Sequence, residues 1–212
     1  MEKIIVIDTE TTNSLDNPFT YDIGFMVCDL DGNIYEKHSY VVADIFLDNE
    51  LMASAYFVDK IPKYKNELAN GIRKMRRFAT IKFIIHDIMK QYDIKKVFAF
   101  NCRFDCLSLG TTQRFLTCSK YRYFFPYGTE FHDILALARH TFKNDKNYTK
   151  FCINNNFLTK YGKNRYTAEI VARYLFNNDF VESHTGLEDC EIEYKILLEC
   201  FALSPNYDTK MW

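Results

Sequence analysis

KIIVIDTETT, running from Lys3 to Thr12, decides the fold. Lys3–Ile7 is a short run of β-branched apolar residues and reads as a buried strand. Asp8, Thr9 and Glu10 follow at once. Residues i and i+2 of an extended segment point to the same face, so Asp8 and Glu10 present two carboxylates side by side at the strand's carboxyl end. Like charges that close are costly to keep ionised without a counter-ion. A hard divalent cation with a preference for oxygen ligands removes that cost. Taken alone, an acidic pair after a strand is more often a solvated turn.

Working outward, Ile23–Asp29 reads as a second strand and Asn33–Val42 as a third. Asp31-Gly32-Asn33 between them is a hairpin signal. The apolar spacing from Ile72 to Tyr92 predicts an amphipathic helix over Ala69–Tyr92. Lys96–Asn101 is a short apolar strand. A helical crossover before it predicts parallel pairing with the first strand. Asp105 then reaches the same sheet edge as Asp8, where active sites of open α/β sheets lie. Further helices are predicted over Arg103–Arg114, His132–Phe142, Tyr148–Asn156, Thr167–Asn177 and Thr185–Ala202. The pattern is α/β, a mixed sheet of about five strands flanked by helices. Residues 1–202 read as one domain and 203–212 as a C-terminal surface tail. Residues 43–70 and the basic, aromatic stretch 119–130 carry no assigned role.

The closing motif is His184-Thr185-Gly186-Leu187-Glu188-Asp189. Thr185 with Glu188 matches a capping box, which places His184 in the loop before a helix and Asp189 in its first turns. A helix start between the two lets His184 fold back toward Asp189.

Composition bounds the possibilities. Of the 212 residues, 48% are apolar and 26% charged, with 7 Gly and 4 Pro, as expected of one folded domain and not of a disordered chain. No C-x-x-C pair occurs among the 7 Cys, which argues against a zinc site and for core packing in a reducing compartment. The N-terminus reads as a strand and not a leader, and no apolar run approaches the ~18–20 residues of a membrane span. Net charge is −1 but unevenly spread. Residues 1–50 hold eleven acids against Lys3 and Lys37; residues 60–96 hold eleven Lys or Arg against three acids; residues 119–166 hold nine against three. A polyanion needs basic surface near the site, and these two stretches are its candidate sources.

The segments resemble the three motifs of the DEDD exonuclease superfamily in its histidine-bearing, DEDDh (DnaQ-like) branch, which has a ribonuclease H-like fold. IIVIDTET (Ile4–Thr11) resembles the first motif, NCRFD (Asn101–Asp105) the second, and His184 to Asp189 the third. YDIGFMV (Tyr21–Val27) and HDILALAR (His132–Arg139) are similar to accompanying family segments. The tyrosine branch would have Tyr where Thr185 stands.

The resemblance implies a 3′–5′ exonuclease that releases nucleoside 5′-monophosphates by two-metal hydrolysis. It implies two divalent cations, Mg²⁺ or Mn²⁺, on Asp8, Glu10, Asp105 and Asp189. His184 would be the general base, with Glu10 also facing the 3′ end. Thr9, Thr11, Thr12, Asn101 and Phe104 would contact substrate. Single-stranded or mismatched DNA is the expected partner ahead of RNA, with no membrane, and with a polymerase (proofreading) or a second copy of the chain as admissible partners. The style of the sequence suggests a bacteriophage or low-GC bacterium, hence a bacterial or phage-infected cytoplasm. The alternatives weighed are an exoribonuclease for RNA trimming or oligoribonucleotide clearance, a nuclease of small signalling oligonucleotides, and a non-catalytic nucleic-acid-binding or polymerase-accessory module.

Overall fold

The computed structural model describes residues 2–12, 16–118, 120, 121, 123–176 and 179–211. Six strands, one more than the pattern predicts, form a single mixed sheet in the order β4-β3-β2-β1-β5-β6. They are β1 (Ile4–Thr12), β2 (Phe19–Cys28), β3 (Ile34–Val42), β4 (Lys74–Arg76), β5 (Lys96–Ala99) and β6 (Glu130–Asp133). The first three pair antiparallel. β5 lies parallel to β1, with Ile5 opposite Val97. β4 and β6 add parallel edges.

The helices are α1 (Ala43–Phe46), α2 (Asn49–Met52), α3 (Ile61–Ala69), α4 (Phe78–Gln91), α5 (Cys102–Thr117), α6 (Ile134–Phe142), α7 (Lys146–Asn154), α8 (Ala168–Leu175) and α9 (Gly186–Leu203). They cover both faces of the sheet. Ile5 and Ile7 sink into one core with Ile81, Ile85 and Ile88 of α4. Ile4 and Val6 sink into another with Leu137 of α6 and Ile196 and Leu197 of α9. Burial on both faces explains why IIVI shows no polar alternation. Each fully buried Ile contributes about 1.5–3 kcal/mol.

Several boundaries differ from the pattern, for identifiable reasons. β1 runs on to Thr12, so Asp8 and Glu10 lie within the strand: β2 keeps pairing with it to Thr12 opposite Phe19. The helix expected over Ala69–Tyr92 starts only at Phe78, whose N–H donates to the Asp44 carboxylate at 2.7 Å. Ile72 is 68% exposed, and Met75 pairs with Val41 in β4. The helix expected from His132 starts after Asp133, whose Oδ1 accepts the Leu135 N–H at 3.0 Å as an N-cap; the residues before it are β6. In the tail, Thr209 O accepts the Asp133 N–H and Met211 N–H donates to Phe131 O, so it lies along the edge of β6. Asn177, Ser119 and Arg122, which fall in stretches read from the sequence, lie outside the described residues. No helix among the described residues is long and apolar enough to cross a membrane.

Candidate active site

Two glycines let the last helix reach the first strand. A Cβ on Gly24 of β2 would lie 2.0 Å from the Gly186 carbonyl carbon, and one on Gly186 would lie 2.7 Å from Gly24 N. Only glycine permits so close an approach. α9 therefore packs directly on β1 and β2, and its first turns face Asp8 and Glu10.

Glu10, His184 and Asp189 form a tight group: one ligating atom of each lies within 4.8 Å of the others. His184 sits in the loop before α9 with φ +54°, a left-handed conformation sparse for non-glycine residues. Its ring stacks on Phe57, centroids 3.9 Å apart and planes 11° apart. Its Nδ1 is 4.0 Å from a Glu182 oxygen. Asp189 is oriented by Ser183 N–H at 3.2 Å, Ser183 Oγ–H at 3.0 Å and Thr185 N–H at 2.9 Å.

Thr185 does head the helix, but the expected capping box is not made. Thr185 has no side-chain bond to the helix amides; its hydroxyl pairs with Ser183 Oγ at 2.8 Å. Glu188 is drawn instead to Arg73, at 2.9 and 2.7 Å. The Asp189 carboxylate takes the Thr185 amide in its place.

Asp105 arrives on the first turn of α5, after a left-handed Asn101 (φ +64°) turns the chain out of β5. It is buried, and its Oδ1 accepts the Thr9 hydroxyl at 2.8 Å. Ser108 Oγ is 3.0 Å from that same hydroxyl. Asp133, at the end of the neighbouring strand, accepts the Asn101 N–H at 3.0 Å and fixes the turn.

The electrostatics of this cluster are those of crowded buried acids. Burial pushes Asp8 well above the usual carboxylate range, and Glu193, Asp105, Glu10 and Asp189 push it further. Glu10 is raised by burial, then by Asp189 and Asp22. Burial lifts Asp105 to about 7 against the Thr9 hydrogen bond, and Asp189 to about 6 against its bonds from Ser183 and Thr185. His184 is lowered by burial and by Lys60, which favours its neutral imidazole. Among the described residues, no Lys or Arg pairs with any of these carboxylates. An all-oxygen donor set with one imidazole, buried and without its own cation, fits hard divalent ions.

Thr9, Thr11, Asn101 and Phe104, with Glu10, line a cavity of about 410 Å³ that Tyr56 and Phe57 also line. Thr12 is the exception. It is fully buried, its hydroxyl donates to Phe19 O at 3.4 Å, and it bridges Ala55, so it faces structure and not the cavity.

Three features escaped the sequence reading. Glu193 is buried beside Asp8, accepts the Phe100 N–H at 3.2 Å, and is raised by burial and by Asp105. Its signal was the four-residue spacing from Asp189, which stacks the two acids on one helix face. Glu182, raised to about 7 by burial and then by Asp189, stands two residues before His184. Tyr56 and Phe57 come from a segment without periodicity; Tyr56 N–H donates to Thr11 O at 3.3 Å and docks that segment on the end of β1.

No protein-family model matches the sequence, and no curated protein sequence matches it. Solved structures do match. One is a 3′-exonuclease described by its 3′-end-specific recognition of a histone mRNA stem-loop: TM-score 0.60, 11% identity, covering 99% of this chain and 84% of that one. Another is E. coli exonuclease I in complex with a dT13 oligonucleotide: TM-score 0.62, 13% identity, covering 97% of this chain and 42% of that one. The fold is the ribonuclease H-like mixed α/β architecture seen in these structures. At these identities the likeness carries the architecture, and this chain spans under half the length of exonuclease I.

Proposed function

We propose that this protein is a metal-dependent 3′–5′ exonuclease acting on single-stranded 3′ ends. The observation that supports the reading is the approach of Glu10, His184 and Asp189 to within 4.8 Å of one another, with Asp8 and Asp105 close enough to raise the pKa of Glu10 or of each other. The four carboxylates would hold two divalent cations, Mg²⁺ or Mn²⁺. When bound, two such ions lower the pKa of an attacking water and neutralise charge on the leaving oxygen of an in-line displacement.

The chain's own groups do the rest. His184, kept neutral by burial and flat against Phe57, takes the proton of the attacking water. Thr9 holds Asp105 in its orientation, and the amides of Ser183 and Thr185 hold Asp189. The terminal nucleoside lies in the slot beside Thr11 and Asn101, with Phe104, Tyr56 and Phe57 offering faces to its base. The products are a nucleoside 5′-monophosphate and a strand shortened by one unit with a free 3′-OH. The full set of acids and the histidine speaks against a non-catalytic binding module.

DNA is the preferred substrate in this reading. RNA is the second reading, favoured because the structure matching over the larger share of both chains is the one described with a histone mRNA stem-loop. The test is a side-by-side digestion of 5′-labelled DNA and RNA oligonucleotides with Mg²⁺, Mn²⁺ or EDTA. A ladder shortening from the 3′ end, silent in EDTA, is expected. Cleavage persisting in chelator, or in Asp8→Asn, overturns the proposal.

A further inference from the structure

The basic stretch 119–166 acquires a definite shape in the fold. Arg139 of α6, Lys143 just after it, and Lys163 and Arg165 in the loop before α8 line a cavity of about 940 Å³ together with Asp8, Glu182 and Glu193. Lys143 also lines a second cavity of about 340 Å³ with Lys146 and Lys150 of α7. Lys143 lines both, so the two cavities adjoin at it, and the six cations form a track from the cavity of Asp8 and Glu193 onto α7.

All six are exposed, and none pairs with a described carboxylate. Some other cations of the chain are paired, as in Arg173 with Glu169 and Lys210 with Glu130. Asp145, the acid closest in sequence, is already used: its Oδ1 caps α7 at the Asn147 and Tyr148 amides and its Oδ2 accepts the Tyr174 hydroxyl. The loop carrying Lys163 and Arg165 is held in place. Thr159 N–H donates to Lys163 O at 2.7 Å, Arg165 N–H to Phe157 O at 3.1 Å, and Tyr148 OH to Arg165 O at 2.6 Å. The backbone that carries these two cations is therefore fixed before any ligand arrives, which spares part of the ordering entropy.

We infer that this track binds the sugar–phosphate backbone of a single strand on the 5′ side of the cleaved bond, without reading its sequence. Its polarity rests on the exonuclease reading above. Asp8, Glu182 and Glu193 line the same cavity, and the unpaired cations beside them offset their repulsion of an approaching polyanion. The larger cavity, about 940 Å³ and open to solvent, has room for a short stretch of single strand.

The test is fluorescence anisotropy of a length series of 5′-labelled single-stranded oligonucleotides, with Ca²⁺ in place of Mg²⁺ to leave them uncut, across about 50–200 mM salt. Wild-type affinity should rise with length until the track is filled. The triple reversal R139E/K163E/R165E should weaken the longest oligonucleotide at least tenfold and lower the salt slope by about two, at ~0.7 per phosphate contact on a single strand. A charge-matched triple outside both basic stretches, K37E/R114E/K195E, should leave the slope in place. Equal losses in both triples, or an unchanged slope in the first, overturn the track. Digestion by the wild type, read in parallel with Mg²⁺, keeps the two proposals apart. Cleavage with an unaltered slope sinks the track alone. The expected slope without cleavage supports the track and sinks the exonuclease reading.

Discussion

Two buried acidic clusters lie side by side at the start of α9, and they are built on opposite plans. In one, Arg73 is 3% exposed and gathers Asp22 at 3.2 Å, Glu188 at 2.7 Å and Glu67. Asp22 Oδ2 also accepts Tyr64 OH at 2.6 Å and Gly186 N–H at 2.9 Å. Arg73 holds Glu188 below its usual range against burial, and it opposes the burial that still leaves Asp22 raised. In the other, Asp8, Glu10, Asp105, Asp189 and Glu193 have no cation of their own among the described residues, and all are raised by burial. The first cluster brings its counter-charge in the chain and serves structure, fixing the helix that carries Asp189. The second, in the proposed reading, takes its counter-charge from bound divalent ions.

The largest expected effects test that contrast directly. Asp8→Asn should reduce kcat/KM roughly 10⁴-fold, the scale of losing several kcal/mol of metal-borne charge stabilisation. Its metal-free melting temperature should hold or rise, because one repelling charge is gone. His184→Ala should lower kcat by about 10²–10⁴ and again spare the fold. Arg73→Met should do the reverse in kind: removing the cation strands Asp22 in the interior, at a loss of about 3–5 kcal/mol in urea unfolding. A destabilised Asp8→Asn beside an unaffected Arg73→Met would break the comparison.

That difference also marks how far the sequence was legible. Asp8, Glu10, Asp105, His184 and Asp189 each stand at a strand's carboxyl half or a helix start, where a period ends and an acid or imidazole is conspicuous. Glu193 lies mid-helix, where an acid reads as a solvated face; only packing of α9 through Gly24 and Gly186 buries it. Arg73 fell inside an apparent helical period, and its role depends on an edge strand of three residues. Phe57 sits in a segment with no period at all. The sheet's sixth strand was hidden because Glu130–Asp133 is short and runs straight into a helix.

A smaller effect sharpens the contrast by pH. Asp105 at about 7, Asp189 at about 6 and Glu182 at about 7 are all raised in the fold from ordinary values of 3.8 and 4.5. A carboxyl with a raised folded pKa contributes stability below its unfolded value and loses it as pH climbs to the folded one. In EDTA, therefore, the melting temperature should fall as pH rises from near 4 to near 7. Added Mn²⁺ at alkaline pH should restore it, by about 2.7 kcal/mol at a hundredfold excess over Kd. A melting temperature flat across that window, with or without metal, would mean that the acids need no external charge.

The smallest effect concerns the segment that joins the acidic site to the slot. Phe57 lies flat against His184 at 3.9 Å. Such aromatic contacts are worth about 0.5–1.5 kcal/mol beyond burial. Phe57→Leu keeps apolar bulk but loses the flat face. If the stack positions the imidazole, kcat should fall about tenfold or less, and the loss should vanish in the His184→Ala background, since both changes act through one ring. If Phe57 acts only as a wall of the slot, KM should rise instead, and equally in both backgrounds. The left-handed backbone at His184 makes the first outcome the expected one: the loop fixes where the ring starts, and the stack on Phe57 fixes where it points.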